Sequence, residues 1–146
     1  PYQLVNGSNV LTTITTSDSE FGGDDVITGD EGNDRILGGA GNDDIQGNAG
    51  KDIILGDNGI LSYLIDQNPN TLDTIEVLSP EIGGDDIIEG NEDNDIVIAG
   101  SGSDFVSGEA GNDVLAGDNA QIILENGSIR QFNSSSPELG GDDTIE

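Results

Sequence analysis

A single aliphatic residue recurs at every ninth position over two stretches of this chain. It is Ile27, Ile36, Ile45 and Ile54 in the first stretch and Ile88, Val97, Val106 and Leu115 in the second, and the spacing resumes at Ile145. Each is the eighth residue of a nonapeptide whose first six positions are polar and rich in glycine, so the last three predict a short strand with one inward side chain. Strands this short are not stable alone. They become so by stacking on copies of themselves, which is the logic of a solenoid. Two nonapeptides then make one coil, and repeats n and n+2 lie above one another.

Between these stretches the pattern changes. ILSYLI, DQNPNT and LDTIEVL follow the first; QIIL, ENG and SIRQF follow the second; YQLV, NGS and NVLTTI open the chain. Each is a pair of β-branched runs around a turn containing Asn-Gly or Asn-Pro-Asn, and each predicts a β-hairpin. The resulting segmentation is a hairpin at 1–19, a nonapeptide block at 20–59, a hairpin at 60–80, a block at 81–120, a hairpin at 121–137 and the start of a third block at 138–146. A longer period therefore overlies the nine: Gly22 to Gly83 is 61 residues, and Gly83 to Gly140 is 57. The expectation is a rod in which block, hairpin and block share one axis, each hairpin covering the end of one block and docking the next. Further copies of the same unit are the expected partners, end to end or in a fibre.

Charge changes the picture most. The 146 residues include 30 acidic and 3 basic ones, for a net charge of -27, with 23 Gly and no His, Cys, Met or Trp. Such a composition by itself suggests disorder, but the regular spacing argues for structure. Nucleic acid and anionic membrane surfaces are excluded as partners, because both need lysine and arginine to displace counterions. No apolar run is long enough to insert in a membrane. Without Cys there is no disulfide contribution to stability. The chain has no initiating Met, and the expectation is an internal or processed segment. With no His and no Cys, no Ser-His or Cys-His pair can be assembled, and the carboxylates follow one repeating role rather than the isolated pair of a glycoside hydrolase. The expectation is that the chain is not an enzyme.

The repeating role is at position 6, which is Asp in every nonapeptide: Asp25, Asp34, Asp43, Asp52, Asp86, Asp95, Asp104, Asp113 and Asp143. Position 4 is Gly except at Asp93, and position 2, where not Gly, is often Asp30, Asn48 or Asn91, which tolerate left-handed geometry. Stacking would place carboxylates about 4.8 Å apart, the strand spacing. At an effective dielectric near 20 their repulsion is about 3 kcal/mol per pair. One buried Ile returns about 1.5–3 kcal/mol before chain entropy is counted. A divalent cation between stacked turns reverses the sign of the problem. Oxygen donors without imidazole or thiolate select a hard ion, and many ligands in flexible turns favour calcium over magnesium. Several Ca2+ ions are expected.

GGAGNDDIQ at 38–46 fits the signature G-G-x-G-x-D-x-U-x at every position. On this nonapeptide and its register-matched copies, the chain resembles the repeats-in-toxin, or hemolysin-type, calcium-binding nonapeptide family. The resemblance implies an all-β, right-handed parallel β-roll in two blocks interrupted by hairpin spacers. It also implies that calcium sits between repeats n and n+2, with paired carboxylates Asp25 and Asp43, Asp34 and Asp52, Asp86 and Asp104, and Asp95 and Asp113. Carbonyl ligands would come from Gly23, Gly32, Gly39, Gly41, Gly50, Gly84, Gly100, Gly102 and Gly111. Half-repeats at Gly56 and Gly117 lack a position-6 Asp and imply partial sites. Asp57 and Asp118 read equally as ligands or as capping-turn residues. Asp24, Asp85 and Asp142 are expected to point to solvent, Glu20, Glu81 and Glu138 to serve the block junctions, and Asp44, Asp73 and Glu76 to be exposed charge. The longer period leads to the expectation of a calcium-rigidified structural module in a long secreted or cell-surface protein, such as a fibre, adhesin or surface-layer component. The resemblance implies the alternative, a calcium-dependent folding and secretion module of a hydrolase or toxin exported by a type I system.

Overall fold

A computed structural model describes residues 2–5, 8–63, 65, 66, 68 and 70–146. The Asn6-Gly7 turn expected in the first hairpin, and Leu64, Gln67 and Pro69 of the second, lie outside these residues. Among the described residues the regular structure is all-β apart from a short 3-10 turn at Pro137–Leu139.

The nonapeptides form two parallel sheets. One is built from β4 (Val26–Thr28), β6 (Asp44–Ala49), β10 (Ile87–Glu92), β12 (Phe105–Ser107) and β16 (Thr144–Ile145), side by side in that order. The other holds β5 (Arg35–Leu37), β7 (Ile53–Leu55), β11 (Ile96–Gly100) and β13 (Val114–Asp118). Successive nonapeptides thus alternate between sheets, and repeats n and n+2 pair in register. Ile27 opposes Ile45, Ile45 opposes Ile88, and Ile88 opposes Val106 in the first sheet. In the second, Ile36 opposes Ile54, Ile54 opposes Val97, and Val97 opposes Leu115. The eighth positions of both sheets meet in one core of Ile36, Ile45, Ile54, Ile88, Val97 and Val106, with Ile27 and Leu115 against it.

The spacers form hairpins, but these stand beside the stack and not between the blocks. Strand β6 of the first block pairs directly with β10 of the second, and β7 with β11. The expected axial order of block, hairpin and block is corrected accordingly. Strands β3 (Thr13–Thr15), β8 (Gly59–Ser62), β9 (Thr74–Val77), β14 (Ala120–Glu125) and β15 (Ser128–Ser134) make a third, antiparallel sheet in that order. Strands β1 (Tyr2–Val5) and β2 (Ser8–Leu11) pair antiparallel on their own.

The third sheet covers the outer face of the second. Leu55, Ile53 and Ile98 pack against Leu61, Ile75, Val77, Ile122 and Leu124. The strand pleat explains why: position 8 faces the first sheet, so positions 7 and 9 face the other way. In the even nonapeptides these are apolar (Leu37, Ile53, Leu55, Ile96, Ile98, Val114, Ala116) except for Arg35 at position 7 of the first, whereas the odd ones carry Thr28, Gln46, Glu89 and Ser107 at position 9. A hairpin supplies two strands, and four nonapeptides supply two strands to each parallel sheet. All three sheets therefore advance by the same rise, about 10 Å per unit at strand spacing.

Candidate metal centres

The turns joining the strands form two columns, one along each edge of the parallel sheets. In the even column Asp34, Asp52, Asp95 and Asp113 stack with Gly32, Gly50 and Gly111. In the odd column Asp25, Asp43, Asp86, Asp104 and Asp143 stack with Gly23, Gly41, Gly84 and Gly102, and with Gly39 and Gly100 at position 2. The hydrogen bonds define the geometry. Beyond the first level of each column, held by Asp25 and Asp34, each position-6 carboxylate accepts through Oδ1 the backbone N–H of the position-6 residue one level earlier. Asp25 donates to Asp43, Asp43 to Asp86, Asp86 to Asp104 and Asp104 to Asp143 at 2.8–3.0 Å. Asp34 donates to Asp52, Asp52 to Asp95 and Asp95 to Asp113 at 2.9–3.0 Å. All four expected carboxylate pairs are neighbours, and the ladder adds the pairs Asp43–Asp86, Asp52–Asp95 and Asp104–Asp143 across the spacers.

Glycine is required where levels touch. Gly41 and Gly50 have φ of 128° and 132°, and a Cβ there would collide with the carbonyl oxygens of Gly23 and Gly32. The first position is constrained by the carboxylate itself: a Cβ on Gly29 would lie 2.9 Å from Oδ2 of Asp34. Asp93, the exception at position 4, takes φ 78°.

The second carboxylate oxygen has no partner. Oδ2 of Asp34, Asp43, Asp52, Asp86, Asp95 and Asp104 is buried and accepts no hydrogen bond. An orphaned buried carboxylate oxygen costs several kcal/mol. Burial, then the nearby charges of Asp57, Asp104 and Asp43, pushes Asp86 up to about 8 despite the N–H of Asp43. Burial likewise pushes Asp95 and Asp104 up to about 6 and raises Asp43 and Asp52. Among the described residues no three acidic side chains converge closely enough to hold an ion by themselves. A site here would combine position-6 carboxylates with turn carbonyls, and the orphaned oxygens together with an all-oxygen donor set fit calcium.

The half-repeats are not partial. Gly39 donates to the carbonyl of Gly56 at 2.9 Å, and Gly56 donates to that of Ile98 at 3.0 Å, so Gly56 occupies a first position in the odd column. A Cβ on Gly56 would collide with Oδ2 of Asp86, the role the first glycine plays toward its own Asp elsewhere. The chain leaves the turn after Asn58, forms the hairpin, and re-enters at Gly84 to complete the same nonapeptide. Asp43 and Asp86 are therefore 43 residues apart in sequence where Asp25 and Asp43 are 18 apart, yet they are adjacent levels.

Other expectations meet mixed outcomes. Position 5 has a role of its own: Asp24 Oδ1 accepts the N–H of Asn42, Asn42 Oδ1 that of Asp85, and Asp85 Oδ1 that of Ser103, at 2.8–2.9 Å. Asp142 donates its N–H to Ser103 Oγ at 3.4 Å. Glu20, Glu81, Glu138 and Asp44 are exposed. Asp73 is not exposed charge; it is buried and accepts the N–H groups of Ile65 and Asp66, closing the turn before β9.

The sequence pattern of the RTX calcium-binding nonapeptide repeat (4 copies) matches residues 28–60 and 82–119. No curated protein and no solved structure matches the chain. The matched segments contain both ladders from Asp34 to Asp113, so these two segments are RTX calcium-binding nonapeptide repeats.

Proposed function

We propose that this chain is a calcium-folded structural module of a long secreted or cell-surface protein, a non-enzymatic length of right-handed parallel β-roll in which each ion sits between turns one coil apart. The observation that carries the reading is the row of buried, unpartnered Oδ2 atoms on Asp34, Asp43, Asp52, Asp86, Asp95 and Asp104. In a chain of net charge -27 the described ion pair, Arg130 with Glu125, is exposed on the outer hairpin and neutralises none of them. A cation is what these oxygens lack. Position-6 carboxylates and the carbonyls of the turn glycines would hold it, and its charge would turn their repulsion into cross-linking.

The structural role is supported by the matched rise of the three sheets. A spacer of two strands beside two coils allows the unit to recur without a joint, which suits a fibre, adhesin or surface layer more than a terminal folding tag. No helix among the described residues is long and apolar enough to cross a membrane. Far-UV circular dichroism with and without excess EGTA tests calcium dependence: a β spectrum unchanged by chelation rejects it. Small-angle scattering on one to four tandem units in calcium tests the structural role. A maximum dimension that grows by about 10 Å per unit is expected, and one that grows irregularly would return the chain to the folding-tag reading.

A further inference from the structure

We propose that Asp57 and Asp118 supply side-chain carboxylates to additional divalent-cation sites, located where each spacer leaves and rejoins the odd column. The proposal rests on the calcium reading above. It goes beyond the nonapeptide signature, which places glycine at this second position and assigns it no side-chain ligand.

The second position is elsewhere Gly39 or Gly100, or a residue such as Asp30 whose side chain is exposed. Asp57 differs: it is 0% exposed. Its Oδ2 accepts the N–H of Ser101 at 2.6 Å, while its buried Oδ1 has no partner. Asp86, 1% exposed, presents its own unpartnered Oδ2 beside Gly56, the residue preceding Asp57. Asp43 and Asp104 are the other charges felt at this point, and no basic group is among them. Two orphaned anionic oxygens thus lie in one enclosed turn, one on the segment that departs and one on the segment that returns. The second spacer repeats the arrangement in part: Asp118 is half-buried with a buried, unpartnered Oδ1, it packs against Gly140 of the returning segment, and its charge is felt at Asp104 together with that of Asp143.

A divalent ion bound at Asp57 and Asp86 would clip the base of a long loop. Its charge would be met by a buried second-position carboxylate that the turns with Gly39 and Gly100 lack, and affinity in oxygen-ligand sites rises with ligand charge. The insertion turns become the tightest sites, so the ends of each hairpin are secured first.

Calorimetric calcium titration of the full chain decides the matter. Asp57→Asn keeps an acceptor for Ser101 and removes one anionic oxygen. We expect Asp57→Asn and Asp118→Asn each to remove one ion from the tightest class or weaken it at least about tenfold, and Asp30→Asn to leave the isotherm unchanged. An Asp57→Asn isotherm that superimposes on the parent while Asp52→Asn weakens binding overturns the proposal and leaves the calcium reading intact. A parent chain that takes up no calcium overturns both. If Asp57→Asn does not fold, a crystal structure of the parent grown in calcium chloride settles the point. An ion bonded to Asp57 supports the proposal; occupied turns elsewhere with Asp57 unliganded overturn it.

Discussion

Odd and even nonapeptides share one signature and differ in what surrounds it. The even repeats, ending in RIL, IIL, IVI and VLA, place their strands between two other sheets, and their turn column has Arg35 beside it. The odd repeats, ending in VIT, DIQ, IIE, FVS and TIE, have a sheet with one open face, leaving Val26 83% and Ile87 49% exposed. Their turns are broken twice by spacers and gather Asp43, Asp57, Asp86 and Asp104 with no basic group among the charges they feel. Apolar burial therefore holds the even half to a degree that it cannot hold the odd half. On the proposed calcium reading, the odd half would depend more on its cation.

The largest expected effect is on the chelated chain. A carboxyl raised above its ordinary value holds its proton more tightly when folded than when unfolded. Stability from this source is complete below the ordinary carboxylate range and is lost as pH rises through the folded values. Those values are about 6 for Asp95 and Asp104, about 7 for Asp57 and about 8 for Asp86. In calcium-free buffer, lowering the pH from 8 to about 4 should restore β structure, protons standing in for calcium. Saturating calcium should reverse the slope, because the ion needs the ionised carboxylate. Amide exchange near pH 7 in EGTA should show β10 and β12 losing protection before β7 and β11. Equal loss in both sheets would erase the contrast between the halves.

Next in size is the apolar backing. Leu55 is fully buried between the second and third sheets. Leu55→Ala should cost about 2–5 kcal/mol in calcium. Gln46 holds the same ninth position in the odd half, and its amide donates to Glu89 at 3.3 Å. Gln46→Ala should cost no more than about 1 kcal/mol. Urea melts of both variants check the pair, and comparable losses would mean that the third sheet is not a structural layer.

Much of this contrast was legible in the residues. The nine-residue period, the Asp at position 6 and the hairpin character of the spacers are local signals, and they led to the strands and the carboxylate ladders. The position of the third sheet had a signal that a single consensus hides: Thr28, Gln46, Glu89 and Ser107 alternate with Leu37, Leu55, Ile98 and Ala116 at position 9. Pairing of β9 with β14 joins two spacers and has no local trace. Nor does the completion of the Gly56 half-repeat by Gly84 and Asp86, because linear alignment ends one nonapeptide and begins another where the fold makes only one. Asp73 was unreadable for the same reason: its acceptor role follows from the loop it closes, not from its neighbours in sequence.

A smaller effect separates ligand from bystander within one odd repeat. Asp43 is buried and raised, while Asp44, at position 7, is exposed. Asp43→Asn should weaken calcium binding about tenfold or more through lost ligand charge, and Asp44→Asn should leave it nearly unchanged. Matching affinities for the two variants in a calcium titration would show that the register of the turns is wrong.

The smallest effect concerns Arg35, whose charge is felt at Asp52 in the even column. Arg35 donates through Nη1 to the carbonyls of Asp34, at 2.7 Å, and Asn33, at 3.2 Å, and its charge counteracts the rise at Asp52. It therefore supplies, without calcium, a fraction of what the ion supplies elsewhere: positive charge beside the turn and a donor for turn carbonyls. Arg35→Gln keeps a shorter donor and removes the charge. Two consequences oppose each other. The chelated chain should lose up to about 1 kcal/mol, the scale of a partly exposed charge interaction, while calcium binding at Asp34 and Asp52 should tighten a few-fold because a like charge no longer repels the incoming ion. The even half would then resemble the odd half, less ordered without calcium and more responsive to it. Exchange protection of β5 and β7 in EGTA and in calcium reads both effects in one sample. If protection falls equally under both conditions, Arg35 acts by packing alone, and the difference between the two columns must rest on Asp57, Asp118 and the open sheet face.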